Sequence, residues 1–178
     1  MSTEGLLQGR ITPDAIELMR KRIGYPNPTV RTGILDTPWN IHGSQEAFRR
    51  FAMGHGDDNP MFVDPDYPGR TRWGAPIAPP GFEMSMGVNR GPTIPEALDR
   101  ETRGALRGVQ LYHSGGEDYY YAPIREGQKL YVSRWVQSVE EKVSEFAGRS
   151  AIVTNGKSYW DDDGLVHVDG LEWFVHAE

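Results

Sequence analysis

The sequence predicts a single α+β domain, and three observations carry that prediction. Apolar residues recur at helical spacing in two segments before residue 55, while from Arg107 onward the apolar pattern repeats every second residue. Glycine (21) and proline (13) punctuate the chain throughout, which implies many turns, and an aromatic content of 11% argues for a packed globule rather than disorder. A chain of 178 residues can bury one sizeable core but would be cramped as two domains, so residues 1–178 are read as one unit.

The first helix is expected over residues 12–23. Thr12 can cap it, Pro13 suits its first turn, and Ile16, Met19 and Ile23 share a face. Gly24, Pro26 and Pro28 end it. Residues 29–42, with Trp39, read as extended or irregular chain. Ser44 then caps a second helix whose apolar face is Ala47, Phe48, Phe51 and Ala52, closed by Gly54. Residues 55–80 are rich in Asp, Asn, Pro and Gly and form a long turning loop, with Phe62, Tyr67 and Trp73 to pack it. Pro80 opens a third apolar stretch, Gly81–Val88, the candidate for a helix against the sheet, and 89–106 is a polar excursion. Strands are expected at Val109–Ser114, Asp118–Ile124, Lys129–Ser138, Glu140–Phe146, Ser150–Trp160 and Leu165–Ala177. The turns between them are expected at Gly115-Gly116, Glu126-Gly127, Gly148-Arg149 and Asp163-Gly164.

Composition removes several function classes. A formal charge of −6 leaves no basic footprint, so nucleic acid is not an expected partner. Without cysteine there are no disulfides, thiolate nucleophiles or Cys-ligated metals. Met1–Arg10 lacks the apolar core of a secretion signal and no segment approaches a membrane span, so the cytoplasm is the expected location. No metal site is expected: Asp161-Asp162-Asp163-Gly164 lacks the downstream ligands of a calcium loop and reads as an acidic hairpin turn. His113, His167 and His176 form no His-x-x-x-His pair. The Tyr119-Tyr120-Tyr121 run suits cross-strand packing with at least one ring exposed.

Three blocks carry a family resemblance. Gly56-Asp57-Asp58-Asn59-Pro60-Met61-Phe62-Val63-Asp64 resembles the Gly-Asp-x-Asn-Pro-x-His-x-Asp motif of MaoC-like hot-dog proteins, which add or remove water across the double bond of enoyl thioesters. Arg70–Phe82 (RTRWGAPIAPPGF) and Tyr121–Leu130 (YAPIREGQKL) resemble two further segments of the N-terminal MaoC, or FAS1-like, dehydratase domain. Gln128 stands where that domain usually has Asp. The resemblance spans roughly residues 10–176, and it implies a hot-dog fold in which an antiparallel sheet wraps a central helix.

In that family the motif's Asp and His hold the attacking water. This chain keeps the first as Asp57 and has Phe62 in place of the second, and a phenyl ring neither accepts nor donates a proton. Asp57 either holds water, as its family counterpart does, or caps a local turn with Asp58. His55, two residues upstream, is the nearest substitute base. The resemblance makes Asn59 a residue that aims Asp57, and Phe62 an acyl-lining or plain core residue. Active members set a backbone N–H at a helix N-terminus against the thioester carbonyl. Pro79 and Pro80 have no N–H, which leaves Gly81. Pro80, Gly81, Asn59 and Phe62 are thus the expected substrate-binding residues, with Asp57 the degenerate catalytic position.

The function these residues imply is a subunit of a heteromeric enoyl-CoA or enoyl-ACP hydratase/dehydratase. It would be the non-catalytic half, shaping the tunnel for a bulky or long acyl chain. The expected partner is a second hot-dog subunit with an intact Asp-x-Asn-Pro-x-His, and no cofactor is implied. An acidic surface would repel the phosphates of coenzyme A, which Arg100, Arg103 and Arg107 could offset. Two alternatives stay open: a stand-alone homodimeric hydratase or thioesterase using Asp57, and a module that binds an acyl ligand without turnover.

Overall fold

A computed structural model describes residues 9–28, 37–145 and 148–177. A five-stranded sheet is ordered β1-β3-β4-β5-β2. Its strands are β1 (Val88–Asn89), β2 (Gln110–Tyr120), β3 (Tyr131–Ser144), β4 (Gly148–Trp160) and β5 (Val166–Ala177). β1 runs parallel to β3, and every other pairing is antiparallel. The helices are α1 (Pro13–Arg20), α2 (Gln45–Gly54), the single turn α3 (Pro60–Val63) and α4 (Glu96–Thr102). Among the described residues no helix is long and apolar enough to cross a membrane.

Both long helices begin where the sequence places their caps. Thr12 accepts the Ala15 N–H at 3.1 Å and Ser44 that of Ala47 at 3.2 Å, each satisfying a donor the helix cannot use itself. α1 lays Ile16 and Met19 against Val136 and Val139 of β3 and Ala151 and Val153 of β4. α2 lays Phe48 against Val132, Tyr159 and Val168, together with Phe82 and Met86. Ala151, Val153 and Tyr159 alternate along β4, so both clusters lie on one face of the sheet. Between them the same alternation places Asn155 and Lys157, a polar strip. The buried Lys157 ammonium bonds Asp118 at 2.9 Å and Glu172 at 3.2 Å, and Arg134 donates to the Tyr159 hydroxyl at 2.7 Å. Burial opposes the Lys157 charge, but the two carboxylates outweigh it and raise its pKa.

Several local expectations are corrected. Gly81–Val88 is not a helix: it forms a 3-10 turn, Phe82–Ser85, and then enters β1. Gly81 and Gly87, both at φ +89°, bracket it with left-handed backbone and leave room for one turn. A Cβ on Gly87 would also stand 3.0 Å from Val132 and Tyr159. The polar excursion 89–106 contains α4, whose short apolar face concealed it. It is held instead by the buried Arg22, which donates to Asp99 and Thr102 at 2.9 Å each.

Gly115-Gly116 is no turn, since β2 is continuous with a bulge between His113 and Gly115. A Cβ on Gly116 would meet the Leu171 carbonyl at 2.9 Å, so the glycine serves close strand approach. β2 ends at Tyr120, short of the expected Ile124. The runs Lys129–Ser138 and Glu140–Phe146 join into β3 through a second bulge between Val136 and Ser138, which shifts the alternation and mimics a break. Gly148 and Arg149 open β4 rather than forming a turn by themselves. The expected positions 29–36 and Phe146 lie outside the described residues.

Candidate functional site

The loop after α2 folds on its own side chains. The Asp57 N–H donates to the Ala52 carbonyl at 3.0 Å, and its carboxylate accepts the Asn59 N–H at 2.9 Å. Asn59 in turn accepts the Met61 N–H at 3.0 Å, capping α3, with Pro60 in the first helical position. α2 clamps the far side: Arg49 donates to the Val63 carbonyl at 3.1 Å and Gln45 to that of Pro65 at 3.0 Å. His55 caps the end of α2, with Nδ1 2.9 Å from the Phe51 carbonyl and its ring 4.3 Å from that of Phe51. No hydrogen bond joins it to Asp57.

α3 places the half-buried Phe62 on the wall of a cavity of about 310 Å³. Segment 72–80 supplies Arg72, Trp73, Ile77, Pro79 and Pro80, and the end of β2 supplies Tyr120 and the residues after it. The two segments are tied by the Ala78 N–H on the Ile124 carbonyl (2.8 Å) and by Arg125 on the Trp73 carbonyl (3.0 Å). Arg72 lies over the Trp73 indole at 4.4 Å. The structure thus brings Phe62 and Pro80 together at one cavity, while Asp57 and Asn59 build the turn that leads to it.

The backbone donors flanking Pro79 and Pro80 are committed. Pro79 and Pro80 have none, Ala78 donates to Ile124, and Phe82 donates to Pro79 at 3.1 Å. The Gly81 N–H donates to the Tyr120 hydroxyl at 3.0 Å. That hydroxyl also lies 3.3 Å from Oε1 of Glu83, a fully buried residue whose Oε2 has no partner. Burial pushes the Glu83 carboxyl above the usual glutamate range; its own backbone N–H opposes this, the charge of Asp118 adds to it, and Lys157 and the Tyr120 hydroxyl oppose it. Burial, followed by the charge of Glu83, pushes Tyr120 up to about 12.

Sequence reasoning missed Glu83 and the role of Tyr120. The available signals were a lone carboxylate inside the apolar run Gly81–Val88 and a tyrosine triplet at a strand end. The acidic turn is as the sequence suggests: Asp161 accepts the N–H groups of Asp163 and Leu165 at 3.0 Å each and meets His167 Nε2 at 3.1 Å. Arg100, Arg103 and Arg107 line a separate cavity of about 800 Å³ with Leu111 and His176, near the opposite end of β2. It is the larger cavity, but none of the motif residues reaches it.

Comparison with known proteins agrees with this architecture. The family model "FAS1-like, dehydratase domain region" matches residues 32–169, more than half of the chain. A UPF0336 protein of Streptomyces avermitilis is 24% identical over 124 residues, covering 70% of this chain and 76% of that protein. Among solved structures, the ChsH1-ChsH2 complex of Mycobacterium tuberculosis is similar with a TM-score of 0.65 at 13% identity, over 92% of this chain and 89% of that one. A MaoC-like dehydratase is similar at 0.60 and 18% identity, over 89% of this chain and 43% of that one. The HadBC (3R-hydroxyacyl-ACP dehydratase) complex of Mycobacterium tuberculosis is similar at 0.53 and 18% identity, over 79% of this chain and 99% of that one. The chain belongs to the FAS1-like dehydratase domain family and shares the hot-dog fold of these structures.

Proposed function

We propose that this chain is one half of a two-unit hot-dog hydratase/dehydratase for enoyl thioesters, the half that shapes the acyl pocket. The observation that carries the reading is Phe62: the position where the motif has its proton-transferring His lines an apolar cavity of about 310 Å³. Two further features support it. The Asp57 carboxylate is engaged in the turn it builds, and the backbone N–H groups of Ala78, Gly81 and Phe82 are already bonded. In the partner, an intact Asp and His would hold water, the His acting as base in hydration and as acid in the reverse direction.

Among the described residues β2 has a neighbour on one side only, and this sheet edge supports a second unit. β2 is the outer strand, exposed along almost its whole length, and carries Leu111 (38% exposed), Tyr112 (55%), Tyr119 (53%) and Tyr120 (47%). Such an edge is a template for pairing. The similar ChsH1-ChsH2 and HadBC structures are both complexes, which is in keeping with this assembly.

The test is co-expression with a hot-dog chain carrying Asp-x-Asn-Pro-x-His, followed by an enoyl-CoA hydration assay of each chain and of the complex. The expected result is turnover by the complex and very slow turnover by this chain alone. Robust hydration by the isolated chain, abolished by Asp57→Asn or His55→Ala, would establish the stand-alone enzyme instead. Tight thioester binding with no turnover in any pairing would leave the binding module.

A further inference from the structure

We propose that Tyr120 is the hydrogen-bond donor this cavity presents to the carbonyl oxygen of an acyl thioester, and that Glu83 is the positioning residue that keeps Tyr120 donating. The inference rests on the acyl-pocket reading above and assigns its polar contact. The walls at Phe62, Trp73, Ile77, Pro79 and Pro80 are apolar, and the N–H groups of Ala78, Gly81 and Phe82, which flank the two prolines, are occupied. The Tyr120 ring lines the same cavity, and its bond to Gly81 sets the hydroxyl next to Pro80.

A phenol has one proton to give and two lone pairs. Gly81 N–H occupies one lone pair. If Glu83 is ionised it can only accept, so it takes the phenol proton and the cavity has no donor. If Glu83 carries a proton it donates to the second lone pair, and the Tyr120 O–H turns free to the cavity.

Two features favour the protonated form. Glu83 is fully buried, so a carboxylate there would lie out of water. Its Oε2 has no partner, a vacancy far costlier for a carboxylate than for a neutral carboxyl. The other charged or titratable groups facing the pair are Asp118 of β2, and Lys157 and Tyr159 of β4. The Glu83 backbone N–H and Lys157 favour the ionised form, but Lys157 is already held by Asp118 and Glu172, and burial together with the negative charge of Asp118 prevails and favours the proton on Glu83.

The experiment compares binding of decanoyl-CoA with its thioether analogue S-decyl-CoA, from pH 5.5 to 8.5, by calorimetry. The thioether has the same chain and phosphates but no carbonyl oxygen, so phosphate titration cancels between the two. The expected result is that the wild-type preference for the thioester falls as pH rises and Glu83 ionises. Tyr120→Phe should weaken thioester binding about threefold to tenfold at pH 5.5 and leave thioether binding unchanged. Glu83→Gln supplies a neutral donor in place of the protonated acid, so it should keep the preference and flatten its pH dependence. A thioester that binds equally well to wild type and Tyr120→Phe would overturn the inference and leave the acyl-pocket reading standing. Failure of both ligands to bind the wild type at any pH would overturn the acyl-pocket reading and the inference with it.

Discussion

The carboxylate of Asp57 accepts the backbone N–H of Asn59 at 2.9 Å, and Asn59 then caps the helical turn that carries Phe62. The motif is therefore first a folding unit: two short polar side chains replace water as partners of N–H groups in a loop where no sheet or long helix can serve them. Because an amide oxygen accepts as a carboxylate does, Asp57→Asn should leave the melting temperature close to wild type. Asp57→Ala should lose about 0.5–1.5 kcal/mol. In the heteromer, Asp57→Asn is expected to change turnover far less than the same change in the partner, where loss of an acid–base group costs about 10²–10⁴-fold. A comparable loss from both sites would place catalysis in both halves.

Restoring His at position 62 should not restore hydration. Phe62→His puts an imidazole on the wall of a cavity otherwise lined largely by apolar groups such as Trp73, Ile77 and Pro80. The backbone N–H groups of Ala78, Gly81 and Phe82 are occupied, so a thioester oxygen that meets the Tyr120 hydroxyl gains no second donor from them, and one missing oxyanion donor costs about 10²–10³-fold. A stability loss on the order of 1–3 kcal/mol should accompany the change. The measurements are hydration rate and melting temperature, alone and with the partner. Substantial new activity without loss of stability would show a pocket still shaped for water.

Assembly should run through β2. Sedimentation of the pure chain is expected to show self-association, and a heteromer when an intact hot-dog chain is added. Placing charges on the edge strand with Tyr112→Lys and Tyr119→Lys should weaken association with little effect on the monomer fold, since both rings are more than half exposed. A monomer indifferent to any hot-dog partner at micromolar concentration would remove the edge from consideration.

The β4–β5 turn should be sensitive to acid. Burial works against ionisation of Asp161, but hydrogen bonds from His167, Leu165 and Asp163 prevail and hold its carboxyl below its ordinary value of 3.8. A depressed carboxyl stabilises the fold above its unfolded pKa, and that contribution is lost as pH falls through the lower, folded value. Asp161→Ala should cost about 1–3 kcal/mol at neutral pH, because it removes the partner of the buried His167 ring. Thermal melts between pH 3 and 7 should show wild type and variant converging in acid; a constant gap would assign the loss to packing.

Much of this protein was determined locally and could be read along the chain. Caps at Thr12 and Ser44, the turn at Asp163-Gly164, the α+β class and the Asp-x-Asn-Pro turn all depend on residues within a few positions of one another. What tertiary structure decided were the places where a local signal meets a distant partner. Gly115-Gly116 reads as a turn until β5 approaches it, and Glu96–Thr102 reads as polar chain until Arg22 binds two of its side chains. Gly81–Val88 reads as a helix until the space beside Val132 and Tyr159 leaves Gly87 no Cβ. The meeting of Glu83, Tyr120 and Gly81 lies furthest from the sequence pattern. It joins residues almost forty positions apart, and the low polarity that raises the Glu83 pKa exists only after the sheet and loop have closed around it.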